Sequence, residues 1–518
     1  MAMTKKLILF VLLFIMTVGT ICYADGTRKP DPGGVNTGNV SDIPAAKPGE
    51  PAMAEISNAV GHNKVAINMM WVLITGFLVM FMQAGFAMVE TGLTRAKNVA
   101  HTIAMNFLIY PLGMLGFYMT GFALMFGGVG ALGTLGGFDG LNSEFSLSVA
   151  GHSFGLFGMK GFFLNFSVYD VGVLAMFLFQ MVFMDTTATI PTGSMAERWK
   201  FSSFFIYGIF VGTIIYPIFG NWVWGGGWLA TLGKEFGIGH GHVDFAGSSV
   251  VHMTGGVLAF VGAAILGPRL GKYNKDGSAN AIPGHNIPMA VIGTFILAFG
   301  WFGFNPGSTL AGGDLRISVV AVNTMIASGT GAIASTLWMW LFRTKKPDPT
   351  MMLNGMLAGL VAITAPCGFV SVGGAALIGL IAGVLVIEAA LFIDQKMRID
   401  DPVGAIAVHG VNGAWGCLAL GLFADGTYGE GWNGVAGTVT GLFYGGGFSQ
   451  LSAQIIGVTT NLVYVGGIGW IMFKLIDKVV GNRVKPEDEL IGLDIPEMGV
   501  EGYSGVKIDK NSETPLSR

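Results

Sequence analysis

Charge is what this sequence most lacks. Only 11% of its 518 residues are Asp, Glu, Lys or Arg, and 52% are hydrophobic, whereas an ordinary soluble domain carries roughly 25% charged residues. So little charge reads as a membrane protein. A formal net charge of -3 leaves no basic excess for a nucleic-acid partner. Cysteine is scarce as well: there are three, and Cys367 and Cys417 lie inside apolar runs, so no disulfide framework is expected. Glycine, by contrast, is abundant at 82 residues, more than twice the usual ~7%. Without a G-X-Y period this excludes collagen and points instead to transmembrane helices packed closely through small residues.

The first 24 residues read as a signal peptide, with Lys5 and Lys6, an apolar run from Leu7 to Val18 and a Cys-Tyr-Ala end. Residues 25–60 are rich in Pro and Gly and read as a flexible extracytoplasmic leader. Residues 61–480 form the membrane domain, and 481–518 a charged cytoplasmic tail. About 20 apolar residues cross a bilayer. On that measure eleven spans are expected, near 66–92, 100–127, 170–193, 202–221, 246–267, 287–305, 317–342, 351–367, 373–394, 404–423 and 451–477. The eighth is short and ends at "APCG". Odd-numbered connections hold most of the basic residues, among them Arg95, Arg198, Arg269, Arg343 and Arg398, while even-numbered ones hold only Lys160, Lys234 and Arg316. Positive residues gather on the cytoplasmic side. The chain is therefore oriented with its N-terminus outside and its C-terminus inside.

One short pattern occurs twice. "DFAGSSVVH" at 244–252 and "DPVGAIAVH" at 401–409 each place an Asp eight residues before a His in apolar surroundings. By the predicted topology the two stretches run in opposite directions. Eight helical residues rise about 12 Å, which brings both His252 and His409 toward the midplane from opposite faces. Five spans repeated with opposite polarity, and a polar site at the midplane, form a recurrent transporter architecture. Asp244 and Asp401 read as helix N-caps, and Asp244 also as a cation-attracting acid at the outer entrance. The Asp–His separation is too long for a shared metal, and no nucleophile is evident. The sequence calls for no enzyme activity, no metal and no cofactor.

Longer motifs carry a family resemblance: "GFAMVETGLTRAKN" at 85–98, "MAERWKFSS" at 195–203, "VWGGGWLA" at 223–230, "DFAGSSVVHMTGG" at 244–256, "GWFGFNPGS" at 300–308, "DDPVGAIAVHGVNGAWG" at 400–416 and "PEDELIGLD" at 486–494. In this order they resemble the ammonium transporter family (Amt/Mep/Rh), and more closely its Amt branch. The resemblance implies an all-α polytopic membrane protein of eleven helices with a five-plus-five inverted repeat, assembled as a homotrimer with one pore per protomer. It places the chain in the inner membrane of a bacterium. It implies that Trp224, Phe183 and Ser308 form the outer ammonium site, that Phe183 and Phe304 are the gate, and that His252 and His409 are the paired pore histidines. A PII-type nitrogen-signalling protein at the cytoplasmic face is an implied partner.

Ammonium is a small cation with N–H donors, suited to an aromatic site. A bare ion in a dry constriction is costly, so the expected route deprotonates it, passes NH₃, and moves the proton separately through the imidazoles. An ammonium receptor of the same fold with little flux is the alternative. The chain departs from the family pattern at Gly404, where an Asp is usual, and at Pro306, which bears on Ser308. Two further carboxylates lie in spans. Glu90 is expected to pair with a nearby cation such as Arg95, and Asp185 to be hydrogen-bonded by the polar run "TTATIPTG".

Overall fold

The computed structural model describes Asp31, Thr37 and residues 51–503. The expected signal peptide, most of the expected leader and the last part of the tail lie outside the described residues; residues 51–60, expected to belong to the flexible leader, are instead helical and continuous with the first span, in a helix that covers Pro51–Leu93. Ten helices are long and apolar enough to span a membrane. They are α1 (Ile56–Leu93), α2 (Ala96–Phe126), α3 (Val171–Ser194), α4 (Phe201–Trp224), α5 (Ser248–Leu266), α6 (Ile287–Thr309), α7 (Ile317–Arg343), α9 (Val372–Met397), α10 (Ile406–Phe423) and α11 (Ser449–Val480). Between α7 and α9 lies α8 (Pro349–Thr364), an apolar helix of 16 residues. It is the span expected to be short, and it stops just before Ala365 and Pro366, which begin "APCG". Short polar residues begin several of these helices. Asp170 accepts from the Gly172 N–H, Asn286 from Met289, Asp348 from Thr350 and Ser371 from Gly374, each satisfying an amide that the helix itself leaves open.

The strands found among the described residues are β1 (Glu144–Val149) and β2 (His152–Gly158), an antiparallel hairpin in the connection between α2 and α3. The Trp228 amide and the Trp222 indole donate to the Gly155 and Leu156 carbonyls of this hairpin. Connections two and four therefore share one face. Arg316 of connection six lies over Phe245 of connection four and Tyr428 of connection ten, which adds those to the same face. The opposite face gathers connections one, three, five and nine: Glu197 is paired with Arg95 and Arg269, and Arg269 with Asp400. Alternation of connections between two faces is what a chain crossing repeatedly must show.

Small residues set the spacing. A methyl group on Gly85 of α1 would fall 2.8 Å from Leu297 of α6, so these two helices touch nearly backbone to backbone. The crossing of α5 and α10 is tighter: a Cβ on Gly256 would fall 2.1 Å from the Gly410 nitrogen. Gly410 follows His409, and Gly256 lies one turn beyond His252. This crossing is what brings the two imidazoles together.

Candidate functional site

The helices that carry the histidines do not begin at their Asp residues, as the sequence suggests. Each starts later with a wide π-turn, Ser248–Met253 in α5 and Ile406–Val411 in α10. π-turns in helices concentrate at functional sites. Each Asp reaches in from outside. Asp244 accepts from the amides of Gly247, Ser248, Ser249 and Val250 and from the Ser249 hydroxyl at 2.6–3.0 Å. Asp401 accepts from the amides of Gly404 at 3.0 Å and Ile406 at 2.7 Å. Asp244 lies on the face of the even connections and Asp401 on that of the odd ones, so the two capped turns enter from opposite sides, as an inverted repeat requires. Gly404 stands in the second cap at φ +80, a left-handed backbone that disfavours the Asp usual in the family.

From the Asp244 face inward, aromatic rings follow one another in a file. Trp224 ends α4 and is anchored by its indole N–H to the Asp244 carbonyl at 2.6 Å. Its ring meets Phe183 edge-on at 6.1 Å. Phe183 of α3 and Phe304 of α6 stack at 4.1 Å between centroids, inclined by 28°, and both are fully buried. Phe304 stacks on His252 at 5.2 Å, and His252 on His409 at 5.3 Å. Thus five of the residues expected at the pore are brought into one column. Ser308 sits in the tight turn Pro306–Thr309 that ends α6 and donates its hydroxyl proton to the Phe304 carbonyl at 2.8 Å, which leaves the oxygen lone pairs as acceptors for a donor-rich ligand.

The two Nδ1 atoms of His252 and His409 are 3.2 Å apart. At that distance one must donate and the other accept, so the pair holds a single proton between its Nδ1 atoms. His252 is wholly buried and its Nε2 has no hydrogen-bond partner among the described residues, which leaves that nitrogen open to a ligand. Trp301, which the sequence reading did not single out, lies beside Phe304 at 5.6 Å, stacks on His252 at 5.1 Å and fixes its own indole on the Thr364 hydroxyl at 3.0 Å. Its place one turn before Phe304, on the same helix face, is the signal that could have found it.

Two expectations are corrected. Glu90 pairs with no cation among the described residues: its Oε2 accepts from the Asn106 amide at 2.6 Å and the Thr192 hydroxyl at 2.7 Å, while Arg95 is taken by Glu197. Five residues apart, Glu90 and Arg95 do not share a helix face. Nor does the threonine run serve Asp185. Thr186 and Thr187 donate to the Val182 and Phe183 carbonyls, Thr189 to Gln83 and to the Asp185 backbone, and Asp185 Oδ1 is buried without a partner.

A further cluster was not foreseen. His242, Asp244 and Cys417 are buried with their potential ligand atoms within 4.8 Å of one another. Burial holds the His242 imidazole down at about 4, and so neutral. A metal does not suit this set. The Asp244 oxygens are already filled by the donors of the helix cap, and His242 Nε2 lies 2.9 Å from the Ser249 hydroxyl that bonds Asp244. The cluster braces the cap from behind.

Residues 70–503 match the Ammonium Transporter Family. Ammonium transporter Amt2 of Archaeoglobus fulgidus is 46% identical over 88% of this chain and 92% of its own length. Ammonium transporter Amt1 of Haloferax mediterranei is 36% identical over 86% of this chain and 81% of its own. Among solved structures, one described as "Sensor Amt Protein" superposes with a TM-score of 0.72 at 37% identity, covering 84% of this chain and 99% of that one. Mep2 of Saccharomyces cerevisiae, at 23% identity and a TM-score of 0.70, shares the fold; the match covers 85% of this chain and 93% of that one.

Proposed function

The chain belongs to the Ammonium Transporter Family and is a multi-pass membrane protein that transports ammonium, and from this membership we propose the route its geometry supports. NH₄⁺ settles against Trp224 and Phe183, with Ser308 accepting one of its N–H bonds. A cation at an aromatic face gains ~0.5–2 kcal/mol or more as water is removed. The stacked Phe183 and Phe304 rings leave no polar group to replace the ion's hydration, so the charged form stops there. NH₃ continues past the rings to the Nε2 of His252. The proton moves separately into the histidine pair, whose shared N–H can be handed from one ring to the other.

The observation that carries this reading is the 3.2 Å Nδ1–Nδ1 contact directly behind a stacked phenyl pair. Replacing His252 by Leu breaks it. Ammonium-evoked current in proteoliposomes on a solid-supported membrane is expected to fall by about 10²-fold, a modest value for loss of a positioned proton-transfer group. An undiminished, ammonium-specific current would remove the proton route from the proposal.

The face that collects the basic odd-numbered connections is read as cytoplasmic, in a bacterial inner membrane, with the N-terminus outside. A homotrimer with one pore per protomer, and a PII-type partner at the face bearing the tail, belong to the same proposal. A receptor with little flux is the second reading, favoured by the likeness to the structure described as a sensor. Methylammonium uptake in cells lacking their own carriers separates the two.

A further inference from the structure

Resting on the transport reading above, the question that remains is where the proton goes once it reaches His409. Against that ring lies a cavity of about 20 Å³ that neither Phe183 nor Phe304 lines; its walls include Phe86, Val89, Glu90, Asn354, Val403 and His409. One water needs roughly 10–15 Å³, so the cavity has room for one. Glu90 lies in α1, is 3% exposed, and has no counter-charge among the described residues: Arg95 and Arg269 are engaged with Glu197, and Arg269 also with Asp400. An ionisable carboxyl inside a span is costly, and such groups mark ion pathways and proton relays. The hydrogen bonds from Asn106 on α2 and Thr192 on α3 fix it in place, and both converge on Oε2.

We propose that Glu90 is the proton acceptor that drains the histidine pair. An imidazolium at His409 gives its proton to a water in the cavity as that water gives one to Glu90. This leaves a neutral imidazole and a carboxylic acid. The acid then releases its proton to water at the inner mouth or to the emerging NH₃, which becomes NH₄⁺, and the carboxylate is restored. No net charge stays in the span after one cycle.

The geometry supplies a clean test. Because both donors meet one oxygen, a Gln whose amide oxygen takes that place keeps both hydrogen bonds but cannot take up a proton, whereas an Ala loses both. Full-length protein in liposomes on a solid-supported membrane is challenged with an ammonium jump. Glu90→Gln and Glu90→Ala are both expected to lower the current by about tenfold or more, and Glu90→Asp to recover a substantial part of it. A purely structural role would leave Glu90→Gln near the wild-type current and abolish only Glu90→Ala, and that outcome overturns the inference. As a measurement independent of variant folding, ammonium-induced infrared difference spectra of the wild-type protein should gain a carboxylic-acid band that moves in Glu90→Asp. Absence of such a band also overturns it. A wild-type current that Glu90→Gln retains removes this inference alone, whereas absence of any wild-type current removes the transport route as well.

Discussion

Two imidazole nitrogens 3.2 Å apart are the smallest unit of this protein's chemistry, and the sequence announces them by twice placing an Asp eight positions before a His. Ionisable groups in apolar runs stand out because the membrane makes them costly. Trp301 gave no such signal, since an aromatic ring in a hydrophobic helix is ordinary until its neighbour is known. Glu90 was visible but its partner was not: Arg95 is near in sequence, yet Glu197, a hundred residues on, reaches it from another connection. On the proposed route, Trp224 offers the ion a ring face and little else, because its N–H is held by the Asp244 carbonyl. Trp224→Ala should therefore raise the ammonium concentration for half-maximal current by about 2- to 30-fold, the span of a cation–π contact. The maximal current should change far less, and a concentration series on the same membranes measures both.

The spans were legible because length and hydropathy follow from the thickness of the bilayer. Their starts were less so. α5 and α10 begin two residues after the bounds drawn from hydropathy, because the Asp side chains stand in for the first turn, and the π-turns Ser248–Met253 and Ile406–Val411 are too brief to alter an apolar pattern. The hairpin of β1 and β2 was not foreseen: β1 alternates polar and apolar residues over only six positions, β2 does not alternate, and the pair is fastened by the distant Trp222 and Trp228. Glycine abundance foretold close packing but not its place, which is the α5–α10 crossing. Gly256→Ala puts a methyl against the Gly410 backbone. Overpacking typically costs 1–3 kcal/mol, so thermal unfolding in detergent should occur at lower temperature. The current should fall too, because the separation that results is between the helices bearing His252 and His409.

Across the whole molecule, the face of the odd connections is bound into one unit. Glu197 joins Arg95 and Arg269, Asp400 joins Arg269, and the tail is fastened to the same face by Arg483 donating to the Leu266 and Pro268 carbonyls, by Glu489 accepting from the Leu270 amide, by Lys97 donating to the Glu489 and Leu490 carbonyls, and by Asp494 accepting from the His101 amide. Charge counting assigns these residues to one side but not to one another, because partners so far apart in sequence are chosen by the fold. Burial alone would raise the Glu197 carboxyl, but the Arg95 and Arg269 guanidinium groups outweigh it and hold it at about 2. A depressed carboxyl stabilises the fold fully above its unfolded value of 4.5, and that stabilisation is lost as pH falls from 4.5 toward 2. Melting temperature measured across that range should drop for the wild-type protein. In Glu197→Gln this contribution is absent, and the variant is less stable at pH 7 by about 3–5 kcal/mol, because two buried cations lose a partner. The contact between the histidines has a last consequence, for ions that resemble ammonium only from outside. Potassium has the same charge and a comparable size, so it can rest on the tryptophan face. It has no hydrogen to surrender, however, and on the proposed route a passage that admits its cargo only in two pieces turns back whatever cannot be split.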